Sequence, residues 1–454
     1  MTRDFPLNRR LAIQTGTAGA AAALGMAPAA LVAEGPLSPS ADGGPLKSIR
    51  QFGVDPAAGG AQNRKHLQEA IDWATTSAGV LWVEPSEDPY RVESGLRLRK
   101  NVSLLGAHGP VPRGTRHPTR PQPVGSVFAI ESTDRPFITV ESATQLRGLQ
   151  FWYPNQTRTD PAKIIDYPVT VQRAMDDAVW GVTLSSLTFF GETATFDFRA
   201  PPTGQGGPLL PSELILFEHC YGYPLGGRFI DIDYCYDIPR ILHCHVNPAV
   251  CRLLELQDNS PEIIQSVVER GEFSYAIDHT DNAQLMDLFT FGVYGGARLG
   301  AETYGQLTNF NFDCVTIGIH KSGSQQRNRN WQIAQGSIIA NTGPQTADLH
   351  PLVIDGQGHT SLTNIESFAG KNPVVHSPTA DLDGEPLILS EDFLQVGGSD
   401  PLTVALLGCR MSTFRAKNPI TILNPAATVS THGCFQARHP WKPAIPYPDG
   451  VVTG

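Results

Sequence analysis

After residue 106 the sequence is a succession of short apolar segments separated by turn residues. Segments of strand length recur about every 10 to 25 residues, with Gly, Asn, Asp or Pro between them. Segments 291–299 and 313–319 are offset by about one such period, as are Cys409 and Cys434. No long helical stripe follows residue 75, apart from a candidate helix at 261–270. This pattern predicts an all-β solenoid with three short strands per coil, in which each coil contacts only its neighbours.

The composition agrees with a chain of many strands and turns. Charged residues make up only 17%, and the chain contains 44 Gly and 37 Pro among 454 residues. This profile excludes a collagen-like or disordered chain. The formal net charge is −10, and only 8 of the 34 basic residues are lysines. Because phosphate neutralisation needs a basic surplus, we expect no nucleic-acid partner.

The N-terminus predicts an export signal. Arg9 and Arg10 precede a charge-free stretch at 11–33 that is rich in Ala, Gly and Leu. The arginine pair resembles the twin-arginine signal of bacteria, and the alternative of a membrane anchor is disfavoured by several glycines and Pro28. We predict a signal peptide at 1–33, a linker at 34–47, a single domain at 48–440 and a C-terminal tail at 441–454. The mature protein is then periplasmic or secreted and makes no membrane contact.

Seven cysteines are present at positions 220, 235, 244, 251, 314, 409 and 434. The number is odd, and the twin-arginine route carries proteins that have already folded in a reducing cytosol. Several cysteines also lie inside apolar strand patterns, where Cys behaves as a small hydrophobic residue. We therefore predict free, buried thiols.

Residues 52–106 carry a family resemblance. Phe-Gly-Val-Asp at 52–55 is followed by a helical stripe of Leu67, Ala70, Ile71 and Ala74, with Asn63 placed as a cap, and then by Gly-Val-Leu-Trp-Val-Glu-Pro at 79–85. Short strands follow at 90–92, 96–98 and 101–106. This order resembles the N-terminal segment of the pectate-lyase and polygalacturonase-like superfamily. The resemblance implies a right-handed parallel β-helix with an N-terminal capping helix, and a carbohydrate-active function.

The densest polar cluster lies between residues 218 and 247. If Ile230 and Ile232 point into the core, Asp231 and Asp233 point outward, because side chains alternate along a strand. The same argument, with Leu242, Cys244 and Val246 inward, places His243 and His245 outward, each 12 residues after one of the aspartates. Because 12 residues are fewer than a full coil, we expect the aspartates and the histidines on neighbouring sheets, across the corner at 236–240. Neighbouring carboxylates push each other's pKa values apart, which supplies the acid and the base that glycosidic cleavage requires.

Further candidates surround this cluster. The predicted catalytic set is Asp231, Asp233, Asp237, His243, His245, Asp278 and Asp281, with Asp278 and Asp281 on the next coil. The predicted substrate-binding set is Tyr153, His219, Tyr221, Tyr236 and Arg240, because aromatic rings can stack on sugars and Arg240 could bind an acidic sugar. Loops at 107–125 and 200–208 are candidates for the walls of the groove. The alternative is that these residues only satisfy backbone groups at turns.

The sequence indicates no cofactor. His-x-His spacing supplies no third metal ligand, and the glycine run at 204–207 lacks the residues of a phosphate loop, so we predict neither a metal nor a cofactor. The leading interpretation is a glycoside hydrolase with a polysaccharide or oligosaccharide substrate. A polysaccharide lyase or uronate epimerase is an alternative that the scarcity of lysine in the coil disfavours, and a non-catalytic glycan-binding β-helix is another. A homo-oligomer is compatible with the sequence.

Overall fold

A computed structural model describes most of the chain. The described residues are 46–77, 79–108, 114–201, 209–249, 260–323, 330–343, 348–368, 370, 388–412, 414–415, 418–437 and 444–454. They belong to one compact unit. The predicted signal peptide, almost all of the predicted linker, the loop residues 202–208 and Cys251 lie outside the described residues.

The described chain contains mostly short strands and few helices. The helices are the 3₁₀ segments Ile49–Phe52 and Pro161–Lys163 and the α-helices α1 (Gly60–Ser77) and α2 (Pro261–Glu269). The strands of the first half are β1 (Leu46–Ser48), β2 (Val80–Val83), β3 (Tyr90–Val92), β4 (Leu96–Leu98), β5 (Ser103–Gly106), β6 (Val127–Ile130), β7 (Ile138–Val140), β8 (Gln145–Arg147), β9 (Gln150–Trp152), β10 (Val171–Arg173), β11 (Val179–Trp180), β12 (Thr183–Ser185), β13 (Thr188–Phe190), β14 (Ala194–Arg199), β15 (Ser212–Glu213), β16 (Leu216–Glu218) and β17 (Tyr221–Gly222). The strands of the second half are β18 (Arg228–Tyr236), β19 (Arg240–Leu242), β20 (His245–Val246), β21 (Phe273–Thr280), β22 (Ala283–Met286), β23 (Phe289–Leu299), β24 (Gly305–Lys321), β25 (Asn330–Ala340), β26 (His350–Ile354), β27 (Gly358–Ser367), β28 (Leu394–Val396), β29 (Leu402–Leu407), β30 (Arg410–Ser412), β31 (Ile420–Ile422), β32 (Ala427–His432), β33 (Phe435–Ala437) and β34 (Val451–Thr453).

The strands stack into three parallel sheets that the chain visits in turn. The first sheet runs through β2, β5, β8, β12, β16, β19 and β22, and the second through β3, β6, β9, β13, β17 and β20. The third sheet runs through β4, β7, β10, β14, β18 and β21. Four long strands, β23, β24, β25 and β27, bend and serve more than one sheet each. Phe291 pairs with Asp313 as the one-coil offset predicts. The fold is therefore a parallel β-helix with three strands per coil, as the sequence predicted.

Aromatic side chains fill the inside of the coil. Phe151 and Phe189 stack at 4.7 Å on successive coils, and Phe196 packs edge-on against Phe189 at 5.1 Å. Phe217 continues this packing at 5.1 Å from Phe196. All four rings are essentially inaccessible to solvent. Because inward residues fill the axis, the outer faces of the sheets are the surfaces on which a ligand can bind.

Helix α1 covers the first coil, as predicted, but Asn63 does not cap it. The helix begins at Gly60, and the buried amide of Asn63 accepts from the backbone N–H of Asp55 and donates to the backbone oxygens of Asp55 and Arg91. Asn63 therefore ties the helix to the loop before it and to the edge of the coil. The predicted stripe of Leu67, Ala70, Ile71 and Ala74 is buried, which confirms the helical periodicity.

Two boundaries differ from those predicted. Leu46 and Lys47 of the predicted linker belong to β1, which pairs with β2. Strand β34, which pairs with β32, lies within the predicted tail. Strand formation extends at both ends because an added strand satisfies the backbone groups of the coil beneath it.

Other local predictions agree with the structure. Helix α2 occupies the candidate helical segment, and its four buried residues are Ile263, Ile264, Val267 and Val268. The six described cysteines are free thiols, and all but Cys434 are buried. None of the described helices combines the length and the apolar character that a membrane span requires.

Candidate functional site

A charged groove crosses the outer face of the third sheet. Two adjoining cavities of about 530 and 260 Å³ lie there. They share the lining residues Arg199, Arg228 and Glu272. We call this region, with Asp197, Asp231 and Arg298, the charged groove. Its floor is formed by β14, β18, β21 and the second half of β23, which are successive neighbours in the sheet.

The register of the sheet aligns carboxylates on adjacent strands. Asp197 lies directly beside Asp231, and Asp233 lies directly beside Asp278. Neighbouring strands are about 4.8 Å apart, so four carboxylates share a small area of one face. Two coils are therefore sufficient to bring together residues that lie about 80 positions apart in the chain.

Asp231 is buried, whereas the sequence predicted an exposed carboxylate. Its residue surface is only 7% exposed. The guanidinium of Arg228 covers it, with Nε 2.9 Å from Oδ2, and Nε of Arg199 lies 3.9 Å from the same oxygen. Burial raises the pKa of Asp231, although Arg228 and Arg199 act in the opposite direction. Asp231 still lines the smaller cavity, so this carboxylate combines a raised pKa with access to the groove.

Asp233 is partly exposed and is held by a histidine. Nδ1 of His279 lies 2.8 Å from Oδ1 of Asp233. The imidazole stacks on Tyr234 with ring centroids 4.3 Å apart and planes 5° from parallel. Tyr234 and His279 both have positive φ, at 53° and 40°, so the two strands bend in the same way at this point. This shared bend brings the His279 ring against Asp233.

Asp278 is anchored from the next coil. Its Oδ2 lies 2.6 Å from Nη2 of Arg298, and its Oδ1 accepts from the backbone N–H of Ala301 at 3.1 Å. A Cβ added to Gly300 would lie 1.7 Å from Oδ1 of Asp278. Only glycine therefore leaves space for this carboxylate, which explains the residue at position 300.

Asp197 forms the other edge of the groove floor. It is buried and makes a two-pronged ion pair with Arg199, at 2.9 Å and 2.6 Å. Bidentate pairs of this kind fix the orientation of both side chains. Arg199 is thus held between Asp197 and Asp231.

Two excursions from the coil wall the larger cavity. The chain at 153–170 leaves between the second and third sheets, and residues 260–272 return to the same corner three coils later. Arg270 Nη2 lies 2.8 Å from Asp166 Oδ1, and the backbone N–H of Ser260 donates to the backbone oxygen of Arg158 at 2.8 Å. The described part of the loop at 107–125 instead lies against Gln150, which accepts from Thr115 and donates to Val124. The sequence therefore misplaced the first wall.

The two predicted histidines are partly exposed and lie on sheets other than that of Asp231 and Asp233, as the 12-residue offset predicted. His243 follows β19 at a corner and has Nδ1 2.6 Å from Asp287 Oδ2, while the ring of His219 stacks on it at 4.8 Å. His245 belongs to β20 in the second sheet, with its ring 4.3 Å from Phe289 and 5.8 Å from Tyr221. These contacts do not involve Asp231 or Asp233, so they give no support to the predicted tuning of the two aspartates by the histidines. Residue 243 has φ of 54°, and the alternation breaks between Leu242, which is half-buried instead of inward, and His243, whereas it holds from 243 to 246.

Tyr153, which was predicted to bind substrate, lies in the core of the coil. It is only 2% exposed, its hydroxyl lies 2.8 Å from Oγ1 of Thr170, and its ring packs 4.5 Å from Tyr167. The prediction that Tyr153 binds substrate is therefore corrected. The identity of an aromatic residue does not reveal whether its side chain faces the inside or the outside of the coil.

The remaining predicted residues lie outside the charged groove. Asp237 is an exposed corner residue with φ of 48°, and Arg240 belongs to β19 of the first sheet, where its guanidinium donates to the backbone oxygen of Ile238 at 3.4 Å. Asp281 accepts from the hydroxyl of Tyr304. Tyr236 is exposed at the end of β18, three residues beyond Asp233.

The sequence argument missed five residues of the groove. They are Asp197, Arg199, Arg228, Glu272 and Arg298. A signal for the first two was present, since Phe-Asp-Phe-Arg at 196–199 has the same alternation as Ile-Asp-Ile-Asp at 230–233, 34 residues later. Within the described residues, no group of three or more His, Cys, Asp or Glu side chains is arranged to hold a metal ion.

Comparisons with known proteins support the fold. No protein-family profile and no curated protein sequence matches the chain. The N-terminal fragment of gene product 12 of bacteriophage Phi29 superposes with a TM-score of 0.52 at 13% identity, over 89% of this chain and 70% of that chain. The DFA-IIIase of Arthrobacter chlorophenolicus A6, solved without its lid in complex with GF2, gives 0.46 at 10% identity, over 90% and 98%. The A-module of the mannuronan C-5 epimerase AlgE6 of Azotobacter vinelandii gives 0.35 at 13% identity, over 90% and 99%. The first likeness agrees with the parallel β-helix fold.

Proposed function

We propose that the protein is an exported carbohydrate-active enzyme that cleaves glycosidic bonds with Asp231 of the charged groove and Asp233 beside it. The observation that carries the proposal is the contrast between Asp231 and Asp233. Burial raises the pKa of Asp231, whereas Asp233 is partly exposed and held by His279. Two carboxylates in unlike environments are the arrangement that divides acid and base roles in glycoside hydrolysis.

The geometry suggests a role for each carboxylate. Asp231 is the candidate general acid, because a raised pKa keeps a proton available for the leaving oxygen. Asp233, with Asp278 beside it on the next strand, is the candidate base or nucleophile. Arg298 and the N–H of Ala301 fix Asp278, so its orientation does not depend on substrate. The substrate is a polysaccharide or an oligosaccharide that lies along the outer face of the third sheet.

The groove arginines support a second candidate function. A lyase or epimerase that acts on uronates needs cations to neutralise the sugar carboxylate, and Arg199, Arg228 and Arg298 line the groove. The scarcity of lysine therefore does not argue against this reaction, because arginine can supply the charge. Hydrolysis remains the better supported function. Each of the three arginines already has a protein carboxylate within ion-pair distance, so its charge is less available to a sugar carboxylate.

Product analysis separates the candidate reactions. A library of neutral and acidic polysaccharides would be digested with the purified protein and the products read by mass spectrometry. Hydrolysis yields products that have gained one water at each break, a lyase yields an unsaturated end lighter by one water, and an epimerase leaves chain length unchanged. A protein that binds a glycan but releases no product from any member of the library would be a binding β-helix instead.

A matched pair of variants tests the site. Asp233 and Asp287 are both partly exposed aspartates bonded to Nδ1 of a histidine, at 2.8 Å and 2.6 Å, but only Asp233 lies beside the groove carboxylates. We expect Asp233→Asn to lose at least a hundredfold in turnover and Asp287→Asn to retain it. Asp231→Asn should lose turnover similarly. Equal activity in the Asp233 and Asp287 variants would place the chemistry elsewhere.

A further inference from the structure

A second feature of the surface lies just beyond the third sheet. There the chain forms a narrow strip made by β11, β15 and the ends of β18 and β21. In this strip Trp180 pairs with Glu213, and Glu213 pairs with Tyr236. Asp281 continues the row, since its N–H donates to the backbone oxygen of Cys235 and its carboxylate accepts from Tyr304 on the following coil. We call these five residues, Trp180, Glu213, Tyr236, Asp281 and Tyr304, the alternating row.

The row alternates aromatic and acidic side chains, one per coil. The residues on either side of each row position determine that its side chain points outward. The preceding positions are buried and point inward: Val179, Ser212, Cys235, Thr280 and Thr303. The next positions on the first four coils have left-handed φ between 48° and 68°: Gly181, Leu214, Asp237 and Asn282. The same corner therefore projects the row side chains outward on successive coils.

The aromatic members are accessible. Trp180 is 47% exposed and Tyr236 is 37% exposed, although burial of a large apolar side chain would stabilise the protein. Leu214, the residue after Glu213, is 46% exposed and extends the apolar surface of the row. Trp180 and Tyr236 are two strand spacings apart, roughly 10 Å. This distance is close to the length of a disaccharide unit in an extended pyranose chain.

From this arrangement we infer that the alternating row is a binding site for an uncharged glycan chain that runs parallel to the coil axis. Pyranose C–H faces pack on Trp180 and Tyr236, and sugar hydroxyl groups donate to Glu213 between the two rings and to Asp281 beyond Tyr236. No lysine or arginine belongs to the row, and its carboxylates repel polyanions, so the substrate class is neutral. Asp233 lies three residues before Tyr236 in β18, roughly 10 Å along the strand. The row therefore places a bound chain next to the charged groove, and the inference extends the proposed function to a substrate class.

Binding measurements test the inference without requiring turnover. The probes are neutral cello-, xylo-, manno- and malto-oligosaccharides of two to six residues, and acidic oligogalacturonates and oligomannuronates of the same lengths. We expect a neutral series to bind, with an affinity that increases with length until the chain spans the row, about 19 Å over four strand spacings. Tighter binding of an acidic series than of every neutral series would overturn the inference.

Variants locate the binding. Trp180→Ala and Tyr236→Ala should each weaken binding of the longest neutral ligand about fivefold to tenfold, and Trp180→Phe should restore most of the loss. The matched control is Phe435→Ala, which removes an aromatic residue that is 56% exposed on the second sheet. If the row variants bind as tightly as the control, the row is not the site.

The outcomes also separate this inference from the proposed function. Row-dependent binding in a protein that cleaves no glycan would support the binding site and refute the enzyme. Turnover that requires Asp231 and Asp233 but is insensitive to every row variant, at substrate concentrations below KM, would support the enzyme and refute the row.

Discussion

Glu192 provides a sharp test of how burial controls charge in this fold. It lies at the short corner between β13 and β14 and is fully buried. Its Oε1 accepts from Oγ1 of Thr195 at 3.1 Å and from the N–H of Tyr223 at 3.0 Å. Among the described residues, Oε2 has no hydrogen-bond partner. Burial accordingly raises the pKa of Glu192 to about 7.

The raised pKa makes stability depend on pH in a defined direction. Between the ordinary pKa of 4.5 and the folded value of about 7, the folded protein binds more protons at Glu192 than the unfolded chain does. The free energy of unfolding therefore falls as pH rises through this window. Raising a pKa from 4.5 to about 7 corresponds to about 3 kcal/mol. The stabilisation is complete below pH 4.5 and lost above about pH 7.

Replacing Glu192 with glutamine removes the titration and keeps the shape. In Glu192→Gln the side-chain oxygen can still accept from Thr195 and Tyr223, and any cost of placing the amide nitrogen is independent of pH. We expect wild type to lose about 3 kcal/mol relative to the variant between pH 4.5 and pH 8. Urea unfolding followed by circular dichroism at pH 4.5, 6 and 8 measures this difference.

A surface glutamate provides the control. Glu69 lies on the exposed face of α1, where its carboxylate is 3.9 Å from Lys65. Glu69→Gln should change the unfolding free energy by less than about 0.5 kcal/mol at every pH. The reasoning fails if wild type and Glu192→Gln show parallel pH profiles, because the buried carboxyl would then titrate normally.

Four further predictions concern other parts of the chain. Burial lowers the pKa of Lys321 to about 8, so the stability of wild type relative to Lys321→Met should rise between pH 8 and pH 10.5, which urea unfolding at the two limits measures. Asn63→Ala removes three hydrogen bonds of a buried amide and should lower the unfolding free energy by about 3 kcal/mol in the same assay; a loss below about 1 kcal/mol would refute its tethering role. Thiol titration of the denatured, unreduced protein should find seven thiols, and a count of five or fewer would indicate a disulfide. Replacing Arg9 and Arg10 with lysine should retain the precursor in the cytosol, and wild-type export would refute the twin-arginine signal.

The architecture was largely predictable because it depends on local patterns. The capping helix follows from the spacing of Leu67, Ala70, Ile71 and Ala74, and its burial confirms that spacing. The coil follows from strand-sized apolar segments at regular intervals, and the offset of Phe291 from Asp313 is the observed register. In a solenoid each coil interacts with its neighbours, so short-range sequence information carries most of the fold.

The candidate site was predictable only where one strand continues without a break. Alternation correctly placed Asp231 and Asp233 on the same face of β18, beside Asp197 and Asp278 of the neighbouring strands. It failed for Leu242, which is half-buried while Ile241 points inward, because the left-handed φ of His243 turns the chain into the next sheet. Several non-glycine residues adopt this conformation at corners, and residue type alone does not identify them.

The sequence by itself determined that this chain forms a coil of short strands and that a helix near its N-terminus covers the first coil. It also determined that polar residues concentrate near the middle of the chain. Only the tertiary structure decided which of those residues meet. Asp231 is buried because Arg228 folds back over it and Arg199 approaches from the previous strand. Trp180 joins Tyr236 in one row because three strands stack in register. Such neighbours are set by the register between coils, and register depends on how many residues each corner contains, which alternation along a single strand does not encode.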